Sequence, residues 1–135
     1  MGKAMTRFGL KRFLFVLGFM VALGSASAQA QGQFGALSLS PEGAWGYSAS
    51  FATIDIAQDR AVEECRKYGK GCQIVRVFQN VCVAVARNED SKNVIVNWVS
   101  GYNAAERTRR ALANCRNDGG TDCRILKEFC TGDAR

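Results

Sequence analysis

The sequence predicts an α+β domain: a mainly antiparallel sheet with two helices on one face, stapled by disulfides. Three observations predict it. Short β-branched and aromatic runs alternate with two stretches of helical periodicity. The segment "RAVEECRKYGKGCQIV" (60–75) is echoed about fifty positions later by "RALANCRNDGGTDCRIL" (110–126), which suggests an internal pseudo-repeat of strand-helix-turn-strand units. All six cysteines of the 135-residue chain lie between positions 65 and 130, an even number of the kind that makes a disulfide framework.

The elements follow in order. From Phe34 the chain alternates loosely through Ala36, Leu37 and Leu39, a first strand. "PEG" (41–43) holds the only proline and turns the chain. "AWGYSASF" (44–51) is a second strand, completing a hairpin. Thr53 opens a helix, with Asp55 and Asp59 early, where anions suit the positive helix end. Ile54, Ala57, Ala61, Cys65 and Tyr68 share one face by their 3–4 spacing, and Gly69 and Gly71 stop the helix. "CQIVRVF" (72–78) and "VCVAVA" (81–86) read as strands about a Gln79-Asn80 turn. After the charged loop "RNEDSKN" (87–93) comes the strand "VIVNWVS" (94–100). Asn103 caps a second helix, with Glu106 at the capping-box position and an apolar stripe of Ala104, Ala111, Leu112 and Cys115. Gly119-Gly120 end it, "CRILKEFC" (123–130) is the last strand, and 131–135 is a tail.

Residues 1–28 read as a signal peptide. Lys3, Arg7, Lys11 and Arg12 precede the apolar "FLFVLGFMVALG" (13–24), and small residues follow, with cleavage near Ala28 or Ala30. Removing this segment takes four cations and no anions from the 18 Lys and Arg, leaving 14 against 12 acidic residues, a net +2. The remaining basicity argues for no nucleic-acid partner, and no later stretch is long and apolar enough for a membrane span. A flexible linker (29–33) then leads into one domain (34–130), with repeats at about 44–86 and 94–130. At an offset of 50, Ala61 matches Ala111 and Cys65 matches Cys115; at 51, Cys72 matches Cys123 and Phe78 matches Phe129.

Cys65 falls at the end of its helix and Cys72 at the start of the next strand, and Cys115 and Cys123 repeat this. The spacing therefore favours Cys65–Cys72 and Cys115–Cys123 as clips across glycine turns, leaving Cys82–Cys130 to tie a strand to the C-terminus. A zinc site fits poorly: the spacings are long for ligand pairs and the chain has no histidine, so neither a metal nor another cofactor is expected. The lack of histidine also removes the Ser-His and Cys-His nucleophile pairs. A carboxylate pair drawn from Asp55, Asp59, Glu63 and Glu64 is the remaining route to hydrolysis, though a solvated helix face explains these residues as well. Arg107, Arg109, Arg110 and Arg116 concentrate charge on the second helix, and with Tyr47 and Tyr102 they are the candidate partner-binding residues. Trp45 and Trp98 are expected in the core.

The pieces Trp45-Gly46-Tyr47, the Ala61-x3-Cys65 spacing and "NVCVAVA" (80–86), followed by the second "RALANCR", resemble the domain of unknown function 4189 family. The resemblance spans about Phe34 to Cys130 and departs at "SKNVIVNWVSGY" (91–102). It implies export, disulfides and no established catalytic residues. The expectation is an exported, periplasmic or extracellular, non-enzymatic module that binds a protein or glycan. The alternatives are an exported hydrolase of cell-wall or glycan polymer acting through carboxylates, and a secreted effector that binds an acidic partner.

Overall fold

The computed structural model describes residues 32–90 and 92–134. The expected signal peptide, and all of the linker but Gly32 and Gln33, lie outside the described residues. The elements are β1 (Phe34–Leu39), β2 (Trp45–Phe51), α1 (Ile54–Arg66), β3 (Gln73–Gln79), β4 (Cys82–Arg87), β5 (Val96–Ser100), α2 (Ala104–Asn117) and β6 (Arg124–Cys130). Both helices begin where a side-chain oxygen satisfies a free backbone donor: Thr53 accepts from the N–H of Ile56, and Asn103 from that of Glu106. The start of β5 falls two residues later than the apolar run suggests. Buried Asn88 explains this, since its amide donates to the Asn93 carbonyl at 2.7 Å and accepts from the Ile95 N–H at 2.9 Å, holding 93–95 as a loop.

The α+β class and the antiparallel pairing hold. The layering differs from the expected single sheet with both helices on one face. Six strands form two three-stranded sheets, ordered β2-β1-β3 and β5-β4-β6. Each sheet carries one helix: α1 lies on β1 and β2, and α2 on β4 and β5. Alternation explains the difference. In β4, Val83 and Val85 face the first sheet and join Leu37, Phe78 and Phe129 in a shared core, while Ala84 and Ala86 face α2 and meet Ala111 and Cys115. A strand buried on both faces reads as a continuous apolar run, and every residue from Cys82 to Ala86 is buried. The sheets therefore stack face to face, with the helices outside.

Strand β4, counted in the first repeat by sequence, pairs with β5 and β6. Residues Phe34–Gln79 thus carry the strands of one sheet and Cys82–Cys130 those of the other, and the expected repeat bounds, 44–86 and 94–130, are not those of the sheets. Their strand orders agree, and each has a register shift on the central strand, between Leu37 and Ser38 in one and between Val85 and Ala86 in the other.

Three disulfides hold this frame: Cys65–Cys72, Cys115–Cys123 and Cys82–Cys130, the pairing that the spacing favours. Their sequence separations are 7, 8 and 48. By loop-closure entropy the two short clips contribute about 2.5 kcal/mol each and the long one about 4 kcal/mol. Gly120 packs on the second clip, where an added Cβ would lie 2.6 Å from the Cys123 sulfur. The last strand is anchored beyond its end. Thr131, assigned to the tail by sequence, is fully buried; its hydroxyl accepts from the Val81 N–H at 3.0 Å and its own N–H donates to the Val81 carbonyl at 2.9 Å.

Candidate functional site: a groove along the free edge of β2

β2 is an outer strand of its sheet, with β1 on one side and no strand on the other. A groove of about 770 Å³ runs along that free edge. Eight consecutive residues, 42–49, line it with Phe51; Arg60 and Glu64 of α1 and Tyr68 just past its C-cap form one wall, and Arg87 at the end of β4 completes the lining.

Small residues on β2 bring the helix this close. Gly46 and Ser48 are buried beneath α1. A Cβ at Gly46 would lie 2.3 Å from the Ala61 carbonyl oxygen and 2.3 Å from the Cys65 nitrogen, so only glycine admits the helix backbone here. The Ser48 hydroxyl donates to the Ala57 carbonyl at 2.6 Å and accepts from the Ala36 N–H at 3.0 Å, tying the helix to both strands. Trp45 and Tyr47 take the alternate positions and turn towards the second sheet. Their rings stack with centroids 6.0 Å apart, Tyr47 meets Phe129 at 4.9 Å, and Phe129 meets Phe78 edge-on at 5.7 Å. This aromatic series runs from the groove into the core, and Lys127 places its ammonium 5.3 Å from the Tyr47 ring centre.

The ionic side chains of the α1 wall are mutually satisfied. Arg60 contacts Glu63 at 2.8 Å and Glu64 at 3.5 Å, and Lys67 reaches Glu64 at 2.7 Å. The Lys67 hydrogen bond holds the Glu64 carboxyl below its usual range, with Lys67 and Arg60 charge adding to it against some desolvation. A general acid needs the opposite shift, towards a raised pKa. Arg87 donates to the Gly43 carbonyl at 2.9 Å and has no carboxylate within ion-pair distance among the described residues. Tyr68 is 76% exposed and stands at the groove rim.

The candidate residues of the second helix take other roles. Arg107 is corrected from a surface residue to a buried one, at 6% exposure. Its guanidinium donates to the carbonyls of Gly101 and Tyr102, each at 3.0 Å, and so holds the turn between β5 and α2, where both residues have positive φ. Arg109 and Arg110 both pair with Glu106 at 2.6 Å, and these bonds hold the Glu106 carboxyl below its usual range, that to Arg109 foremost. Arg110 also lies 4.3 Å from the ring centre of exposed Tyr102. Arg116 is exposed near the helix end. Tyr47 lies in the aromatic series of the groove, away from this cluster.

On α1, Asp55 and Asp59 are exposed, Glu63 is held by Arg60, and Ile54 and Tyr68, read as part of the apolar face, are exposed instead. The groove wall formed by Arg60, Tyr68 and Arg87 was not foreseen. The uncharged strand with aromatic residues at Trp45 and Tyr47 was its available signal. No group of His, Cys, Asp or Glu able to hold a metal ion occurs among the described residues, nor any helix long and apolar enough to cross a membrane.

Fold and site together define a small three-disulfide α+β domain, of the kind stable in an oxidising compartment, with one strand edge left open in a groove. The family model described as Domain of unknown function (DUF4189) matches residues 34–130, from the first residue of β1 to the last of β6, and the chain belongs to this family. No curated protein and no solved structure matches it.

Proposed function

We propose that the chain is an exported, non-enzymatic binding module that takes its partner, in the periplasm or the medium, into the groove along β2. The groove itself carries the reading: a cleft of about 770 Å³ with an open strand edge as its floor and exposed aromatic surface at its rim. Cavities of this size suit ligands and peptide segments. Export is supported by the signal-like residues 1–28 and by three disulfides. The non-enzymatic role is supported by a sequence without histidine and by a groove carboxylate, Glu64, whose pKa lies low.

Capture from periplasmic extract and culture medium tests the proposal. Oxidised wild-type chain should retain a partner that the double variant Tyr68→Ser, Arg87→Gln releases. Equal capture by both, or turnover of a cell-wall polymer that is lost in Glu64→Gln, would overturn it.

A further inference from the structure

We infer that the occupant of the groove is an extended, near-neutral polypeptide segment that pairs with β2 as an added strand. The inference rests on the reading of the groove as a binding site and names the partner's chemistry.

Four observations lead there. Eight successive residues, the turn 42–44 and the first five of the outer strand β2, line the groove. An open strand edge offers N–H and C=O groups in a repeat of about 6.8 Å, two residues of strand, and a polypeptide backbone carries the matching repeat. The groove side chains are largely committed elsewhere: Arg60 to Glu63 and Glu64, and Arg87 to the Gly43 carbonyl. A sugar polymer would need free side-chain forks for its hydroxyls, whereas a peptide needs chiefly the backbone edge.

The other outer strands are guarded and β2 is not. Residues 45–51 contain no charged residue and no proline. By contrast β3 carries Arg76, and β6 carries Arg124, Lys127 and Glu128. Edge β5 is equally free of charge and proline but is short, five residues from Val96 to Ser100. Proteins ordinarily blunt exposed edges in such ways, so an unguarded one is a pairing surface. Finally, the groove lining holds two cations, Arg60 and Arg87, against two anions, Glu42 and Glu64. That balance complements a segment without strong net charge, and Trp45 and Tyr68 offer apolar contact to its alternate side chains.

The test is selection of a phage-displayed random dodecapeptide library on the oxidised chain, followed by N-methylation of the selected peptide at one backbone nitrogen at a time. The selected sequences should alternate small or apolar residues and lack central proline. Methylation of the nitrogens facing β2 should weaken binding about tenfold, and of the alternate nitrogens hardly at all. The amides of 45–51 that face away from β1 should gain protection from hydrogen exchange. Binding indifferent to every methylation, or no peptide selected, overturns the inference. If no peptide is selected but a chitooligosaccharide probe shifts the Trp45 resonances, the groove binds and the occupant is a glycan. If the chain sediments as a dimer with 45–51 already protected, the occupant is a second copy. If no probe perturbs the groove and the chain is a monomer, the binding reading falls as well.

Discussion

The two halves of the molecule share a strand order and a register shift, yet they seat their helices differently. In the first half, α1 descends onto Gly46 until backbone meets backbone, and Ser48 bonds across to Ala57. In the second, the register places Asn97 opposite Ala86 where Gly46 stands opposite Ser38, and the helix rests on the methyl groups of Ala84 and Ala86. Four residues past each N-cap stands a buried residue, Ala57 in one half and Arg107 in the other. The lesson is that one layout tolerates two kinds of contact. The half with the tight contact also carries the open groove.

The comparison breaks first at Gly46. Gly46→Ala should cost about 3 kcal/mol by overpacking, whereas Asn97→Ala at the matching position should cost under about 1 kcal/mol; urea denaturation of the oxidised chains measures both. Similar losses at the two sites would mean that the helices are seated alike. Next comes Arg107. Arg107→Leu should destabilise by about 2 kcal/mol, because two charge-assisted bonds to the Gly101 and Tyr102 carbonyls disappear. Thermal unfolding reads the loss, and exchange rates of the amides at 101–103 should rise with it. An unchanged melting point would return Arg107 to the surface role that its sequence position suggested.

The smallest effect is in pH and sharpens the likeness of the halves. Glu64 and Glu106 are partly buried on the helix of each half, and both titrate below the ordinary value of 4.5. The folded pKa is the lower one, so the stabilisation is present above the ordinary value and is lost as pH falls through the folded pKa. Carboxyl NMR titration should show Lys67→Gln moving Glu64 upwards. Arg109→Gln should move Glu106 upwards only in part, because Arg110 remains bonded to it. A full return in the second case would show Arg110 contributing nothing.

The local features of the fold were readable because they depend on neighbours in the chain. Thr53 and Asn103 mark the helix starts through their own oxygens, and the cysteine pairs at the two glycine corners follow from helix and strand lengths. The division into two sheets was harder. It depends on β1 pairing with β3 across α1, a long-range choice that periodicity does not encode. The continuous apolar run 81–86 was the trace of a strand covered on both faces, and it is equally compatible with one sheet. Arg107 misled for a related reason: an arginine on a helix reads as surface, and the carbonyls that accept its bonds are exposed to it only once the turn at 101–102 folds back. The groove was the least legible part. Its floor exists because β2 lies at an edge, and its α1 wall because a glycine lets the helix approach.

The bond between Cys82 and Cys130 joins the first residue of β4 to the last of β6, directly opposite each other in the ladder. It makes the second half a covalently closed ring. A protease that nicks the chain anywhere between those two residues cuts one link of that ring, and both pieces stay attached. A single cut between β4 and β5 would then cost neither mass nor a strand. Only reduction after the cut would release the fragment, so a nicked chain should run intact on a non-reducing gel and as two bands on a reducing one.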